Sequence, residues 1–280
     1  MKEFKSAEEP ELKGGVQYHI RISPKDVKKY VLLPGDPGRA EKIAKEWDEH
    51  RFISGHREYV IYVGKYKGTE LMVCSTGIGG PAAGIAIEEL ARVGANTFIR
   101  VGSTGSILPE ARVGDLIIST GAVRLDGTSK QYVIPEYPAL ANYEVVMALI
   151  EAAESLGYRY HVGITASTDS FYVGQGRRGY GGYWQSWMEN LIPDLQKAKV
   201  INFEMETATI FTLSSLFGKR AGAVCAVYAD RVRNEFGVKG EKESIRVANE
   251  AVRILAEWDE IKRQKGKRYF YPSLRREVID

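Results

Sequence analysis

Short apolar runs alternate along the chain with longer stretches in which apolar residues recur every three or four positions. The runs Tyr30 to Leu33, Leu71 to Ser75, Thr97 to Val101, Leu116 to Ser119, Val162 to Thr165 and Ala223 to Tyr228 read as buried strands. Between them, Ala82 to Val93, Tyr143 to Leu156, Met205 to Phe217 and Lys242 to Trp258 carry helical spacing, as in Val146, Leu149, Ala153 and Leu156. Such alternation predicts an α/β fold around one mixed sheet. No linker, repeat or low-complexity tract divides the chain, so residues 1–280 read as one domain with a short N-terminal extension (about 1–15) and a basic tail (about 262–280). The stretch from Arg177 to Lys199, with Gly179, Gly181, Gly182, Tyr183, Trp184 and Trp187, reads as irregular: either a moving lid or a surface excursion.

Composition narrows the function classes. Lys and Arg number 39 against 36 Asp and Glu, and a net charge of +3 is too small for a dedicated nucleic-acid binder. The tail, with Lys262, Arg263, Lys265, Lys267, Arg268, Arg275 and Arg276 around Tyr269, Phe270 and Tyr271, reads as a solvated or subunit-packing appendage. Cys74 and Cys225 lie in apolar runs, which favours reduced, buried thiols and a cytoplasmic protein. No stretch approaches the roughly 18 apolar residues of a membrane span. The four histidines are scattered, so no metal is expected.

Several segments carry candidate chemistry. Arg100 ends an apolar run and is followed by Gly102-Ser103-Thr104-Gly105, read as a Gly-rich turn whose backbone donors and guanidinium suit an oxyanion. Gly35-Asp36-Pro37-Gly38-Arg39 closes the first strand before a helix from about Ala40, placing a second arginine at the strand ends where α/β sheets bind ligands. A third, Arg57, stands next to Glu58, a possible ion-pair partner. Gly77-Ile78-Gly79-Gly80-Pro81-Ala82 formally satisfies the dinucleotide fingerprint and keeps an NADP-binding oxidoreductase open as an alternative. In Asp169 to Arg177, Phe171 offers stacking, Gln175 a donor and an acceptor, and Arg177 charged donors, which together suit a pyrimidine base. Glu204 and Glu206 fall near a helix start, where they either serve the helix dipole or hold a sugar diol. Asp230 and Arg231 end the last strand as a cap and a surface cation.

Taken in order, the strings around Gly35, His56, Gly77, Arg100, Gln175 and Glu206 resemble the nucleoside phosphorylase-I family, in its uridine-cleaving branch, from about Tyr18 to Trp258. The resemblance implies a three-layer α/β/α subunit with a mixed central sheet, assembled as a hexameric trimer of dimers with shared active sites. It implies phosphorolysis of a nucleoside to base and ribose 1-phosphate, with inorganic phosphate as co-substrate and no cofactor. By position, Gly35, Arg39, Arg100 and Ser103 would bind phosphate, with Arg57 lent by a neighbouring subunit. Phe171, Gln175 and Arg177 would hold the base, with Arg231 behind them and Thr104 lining the pocket. Met205 and Glu206 would hold the ribose, and His19 would reach its 5′-hydroxyl from the partner. Arg57, Arg100, Arg177 and Glu206 are the expected catalytic set. The chain departs from the family pattern at Ser103 (usually Thr), Ala82 (a Ser beside an interface potassium in some members), Gly176 (usually acidic) and Asp230. Because the purine-cleaving branch uses an acid near Asp230, purine nucleoside phosphorylase is the alternative within the family.

Overall fold

The computed structural model describes residues 4–276. Strands and helices run in the order β1 (Glu11–Leu12), β2 (Val16–Gln17), β3 (Tyr30–Leu33), α1 (Pro37–Ala44), β4 (Glu49–His56), β5 (Tyr59–Tyr66), β6 (Thr69–Cys74), α2 (Gly80–Val93), β7 (Thr97–Ser106), β8 (Leu116–Leu125) and α3 (Thr128–Tyr132). They continue with β9 (Ala139–Leu140), α4 (Tyr143–Leu156), β10 (Tyr160–Thr168), α5 (Leu191–Lys197), β11 (Val200–Glu204), α6 (Thr207–Leu216), β12 (Arg220–Asp230), β13 (Glu235–Phe236), α7 (Glu241–Gln264) and α8 (Pro272–Arg276).

The central mixed sheet has 11 strands and folds back on itself. Strand β7 pairs in parallel with β3 through Thr97 to Arg100 and with β12 along its whole length. Its end turns to β11, Asn202 and Phe203 lying opposite Ser106 and Gly105. Because β11 pairs with β10, β10 with β8 and β8 with β12, these five strands close a ring. Beyond β3, the strands β6, β5 and β4 extend an open wing.

Period-two alternation in β3 sorts its side chains to opposite faces. Tyr30 and Leu32 pack with Leu149, Val252 and Leu255 under α1, α4 and α7, whereas Val31 and Leu33 pack with Ile87, Leu90 and Phe211 under α2 and α6. This is the expected three-layer arrangement. Asp36 starts α1 by accepting from the Gly38 amide with Pro37 in the first turn, so the helix begins before Ala40. Asn142 caps α4 by accepting from Glu144 and Val145.

Two local expectations are corrected. Gly102 to Gly105 is not a turn; it continues β7 to Ser106, because β12 and β11 supply pairing partners that the ring closure creates. Small residues are needed there, since a Cβ on Gly102 would lie 2.8 Å from the Arg100 guanidinium and 2.9 Å from the Cys225 sulfur. The tail, described here through 276, is not a solvated appendage: Phe270 stacks on Trp258 at 4.1 Å and Leu274 is fully buried. The stretch from Arg177 to Lys199 also contains α5, whose Leu191, Ile192 and Leu195 pack on a small core with Phe203. No helix among the described residues is long and apolar enough to cross a membrane.

Candidate active site

A cavity of about 620 Å³ opens where β3, β7 and β12 end, at the seam between the open wing and the closed ring. Gly35, Arg39, Arg100, Ser103, Thr104, Phe171, Gln175, Arg177, Met205 and Glu206 all line it, so ten of the expected site residues share one chamber. Gly35 and Gly77 let two strand-end loops meet: a Cβ on Gly35 would lie 2.9 Å from the Gly77 carbonyl oxygen.

At one end stand two buried guanidinium groups. Arg39, carried by α1, crosses to donate from Nη1 to the Val101 carbonyl at 3.1 Å. Arg100 faces two carboxylates, with Nη2 2.5 Å from Glu206 and Nε 2.7 Å from Glu204. The Glu204 contact lacks hydrogen-bond alignment, so Nε and Nη1 of Arg100 have no hydrogen-bond partner while only 4% of the residue is exposed. Burial works against its charge, but Glu206 and Glu204 keep Arg100 firmly protonated.

The two glutamates divide the roles that the sequence left open. Glu204 satisfies the start of α6, accepting from the amides of Glu206 and Thr207 at 2.9 Å, and receives a short hydrogen bond from the Ser167 hydroxyl. Glu206 turns away from its helix: one oxygen accepts from the Gly79 amide at 2.6 Å and the other meets Arg100. Burial raises its pKa, Arg100 pulls the other way and Glu204 adds to the rise. Gly79 is the N-cap of α2, so the amide that a dinucleotide's pyrophosphate would use is taken by Glu206, which removes the support for an oxidoreductase.

At the other end, Arg177 lies over the Phe171 ring, Cζ 4.1 Å from its centroid, and donates to the Phe171 carbonyl at 2.6 Å and to Gln175 Oε1 at 2.7 Å. The Gln175 side-chain carbonyl is thereby held by Arg177. Burial and the neighbouring Arg231 lower the Arg177 pKa to about 10. Arg231 is not on the cavity wall; it donates to the carbonyls of Gln175 and Gly176 and fixes the loop from behind. Gly176 has φ +66°, and a Cβ there would lie 2.8 Å from Ile192, so backbone geometry accounts for a glycine where an acid was expected.

Thr104 ends a buried chain of polar groups inside the ring that no local motif signals. Its hydroxyl donates to the Phe203 carbonyl at 2.6 Å, so it accepts from Asn202 Nδ2 at 2.8 Å. Asn202 Oδ1 then accepts from Thr165, and Thr165 from Ser119. One carbonyl thus sets the direction of the whole chain, and Thr104 has only a lone pair left to offer. Tyr228 and Phe236 also line the cavity and were not singled out in the sequence.

Three more expected groups, besides Arg231, lie off the cavity wall. Arg57 is exposed at the tip of the β4–β5 hairpin with φ +55°, and its Cζ is 5.8 Å from the centroid of the Tyr18 ring. His19 touches the same ring edge-on; its Nδ1 donates to Glu89 at 2.7 Å, and its carbonyl accepts from His56 Nδ1 at 2.9 Å. Asp230 is buried off the cavity wall and accepts from the amides of Val232 and Arg233 and from the Arg233 guanidinium at 2.8 Å. Although burial opposes it, these Arg233 contacts hold its pKa below the ordinary aspartate value, which makes it a poor proton donor to a purine.

The profile of the phosphorylase superfamily matches residues 29–257. The chain is 62% identical over 275 residues to the uridine phosphorylase of Thermococcus kodakarensis, covering 98% of this chain and 99% of that protein. It is 40% identical over 246 residues to the uridine phosphorylase of Escherichia coli (85% of this chain, 97% of that protein). It is also 39% identical over 228 residues to the guanosine phosphorylase of Halorubrum lacusprofundi (81% and 89%). A match spanning most of the length, with two arginines and a glutamate meeting in the strand-end cavity, places the protein: the chain belongs to the phosphorylase superfamily.

Proposed function

We propose that this protein is a uridine phosphorylase, cleaving uridine with inorganic phosphate to uracil and ribose 1-phosphate and needing no other cofactor. The observation that carries this reading is the convergence of Arg39 and Arg100 with Gln175 and Arg177 at opposite ends of one cavity. Phosphate occupies the end formed by Gly35, Arg39, Arg100 and Ser103. Ribose lies across Met205 and Glu206, and uracil stacks on Phe171 with its polar edge towards Gln175 and Arg177. As the glycosidic bond breaks, positive charge grows on the sugar between the phosphate and Glu206. The electron pair leaves with the uracil ring, where Arg177 stabilises it. Charge is therefore compensated at both ends without a strong general acid.

The phosphate end of a single protomer holds Arg39 and Arg100 but also Glu204, Glu206 and Glu241 in contact with them. Lys42 pairs the other Glu241 oxygen, so the cluster is neutral and carries no surplus positive charge for a phosphate dianion. A third arginine corrects it, and exposed Arg57, held with positive φ on a hairpin tip, suits presentation to a neighbouring subunit, with His19 alongside. We assign active sites shared between protomers, a hexamer as the assembly, and a cytoplasmic location in keeping with two buried free thiols. A panel of uridine, deoxyuridine, thymidine, inosine and guanosine, each with phosphate, tests the substrate. Uridine should have the highest kcat/KM; faster cleavage of inosine or guanosine would favour the purine reading that the guanosine phosphorylase relative raises.

A further inference from the structure

Arg39 reaches the cavity already gripped at three of its five N–H groups. Nε donates to Glu241 Oε2 at 3.1 Å, Nη1 to the Val101 carbonyl at 3.1 Å, and Nη2 to the Tyr228 hydroxyl at 3.3 Å. Tyr228 passes its own proton to the same Glu241 oxygen at 3.1 Å. The other Glu241 oxygen is held by Lys42 at 2.5 Å. A guanidinium has five donors, so two remain. We propose that Glu241 and Tyr228 are positioning residues that lock the Arg39 fork in its phosphate-binding orientation, an inference that rests on the phosphorolytic reading above.

Three features carry it. First, the triangle of Arg39, Tyr228 and Glu241 is closed: rotating the guanidinium about its last torsions breaks the ion pair and leaves the tyrosine hydroxyl without its donor. Second, the anchor itself is fixed. Glu241 opens α7 directly after Gly240, which has φ +78° and sits so close to Gly114 that a Cβ would lie 2.4 Å from its carbonyl oxygen. A carboxylate in the first helical turn also faces the favourable end of the helix dipole. Third, although burial opposes it, Lys42 and Arg39 hold the Glu241 pKa below the ordinary glutamate value, so the clamp is charged wherever phosphate is a dianion. Tyr228 is pushed the other way, chiefly by burial, and keeps the proton that the clamp needs.

Holding Arg39 before phosphate arrives saves the ordering of a long side chain on binding, which is worth about tenfold in affinity. Glu241→Ala should therefore weaken phosphate, in both Kd by calorimetry and KM, by about tenfold, leaving the KM for uridine within twofold and kcat at saturating phosphate within threefold. Glu241→Gln keeps an acceptor for Arg39 and should recover phosphate affinity to within about threefold of wild type. Tyr228→Phe removes one of the three grips and should weaken phosphate by about threefold. Thermal unfolding identifies any variant that fails to fold, and Tyr228→Phe then carries the test alone. Unchanged phosphate affinity in Glu241→Ala or Tyr228→Phe overturns the inference, as does tighter phosphate binding in Glu241→Ala, which would make Glu241 a competing countercharge. Wild-type protein that binds no phosphate would instead overturn the underlying reading.

Discussion

Replacing Arg177 with alanine separates what this group does for the reaction from what it costs the fold. In the free protein its guanidinium meets two carbonyl oxygens and an aromatic face but no carboxylate among the described residues. Burial first, and the like charge of Arg231 second, depress its pKa to about 10. A cation with a lowered folded-state pKa is a destabilising charge at every pH below that value, and the penalty is relieved only as the pH rises through it. The depression corresponds to a penalty of up to ~3 kcal/mol, reduced by the solvent access the side chain retains. Against it stand two hydrogen bonds of about 1 kcal/mol each and a cation–π contact of about 0.5–1 kcal/mol. The balance is close to zero, so Arg177→Ala should unfold within a few degrees of wild type. Turnover should behave differently. Losing a donor aimed at charge that develops on the departing base costs about 2.7–4 kcal/mol of barrier, roughly 100- to 1,000-fold in kcat. Uracil release followed by ultraviolet absorbance gives kcat, and calorimetry should find phosphate affinity unchanged. Turnover within threefold of wild type would refute the assignment of the base edge, and a matching collapse in Tm would show that the residue is scaffolding.

Other outcomes follow from contacts away from the reacting groups. Asp230→Asn should keep uridine turnover within about threefold but lower stability by ~1–3 kcal/mol, because the carboxylate is committed to Arg233 and not to substrate; loss of nucleoside cleavage with the fold intact would reverse that view. Asn202→Leu takes one partner each from the buried Thr104 and Thr165 hydroxyls, which keep the Phe203 carbonyl and Ser119, and should cost about 1–3 kcal/mol in total in urea unfolding; a neutral result would contradict the directed chain. Asp259 and Glu144 have lowered pKa values: burial opposes the shift, and Arg220 with Lys29 and Tyr30 for the first, or Lys262 with the Phe270 amide and Arg220 for the second, outweigh it. Their stabilisation is complete above the unfolded-state carboxylate values and is lost as pH falls through the depressed folded ones. Tm should therefore hold from pH 7 to 5 and fall below about pH 4, less steeply in Asp259→Asn; an identical slope in that variant would remove Asp259 from the account.

The layers of the fold were legible because helices and buried strands impose different periods. Tyr30–Leu33 and Tyr143–Leu156 have the same limits in the sequence reading and in the structure, one bounded by Gly35 and the other by the Asn142 cap and Gly157. The wing hairpin β4–β5 leaves little mark in the sequence because its outer strand is mostly exposed and lacks the apolar run that marks a buried strand. The continuation of β7 through Gly102 to Gly105 was hidden because small residues read locally as a turn. Only the long-range closure with β11 and β12 makes them strand. Within the site, Arg39, Arg100, Gln175 and Arg177 were visible as chemistry next to glycine. Tyr228 and Glu241 were not, because their relation to Arg39 joins segments about 200 residues apart, as in the 202-residue separation of Arg39 and Glu241. A single strand residue and a helix-opening glutamate carry no local sign of such a clamp.

The most direct test of the account is to incubate the purified protein with uridine while inorganic phosphate is titrated from zero, measuring uracil and ribose 1-phosphate together. No uracil should form without phosphate, uracil release should rise and saturate as phosphate is added, and one ribose 1-phosphate should accompany each uracil. Uracil released without phosphate, or free ribose in place of the phosphorylated sugar, would contradict it.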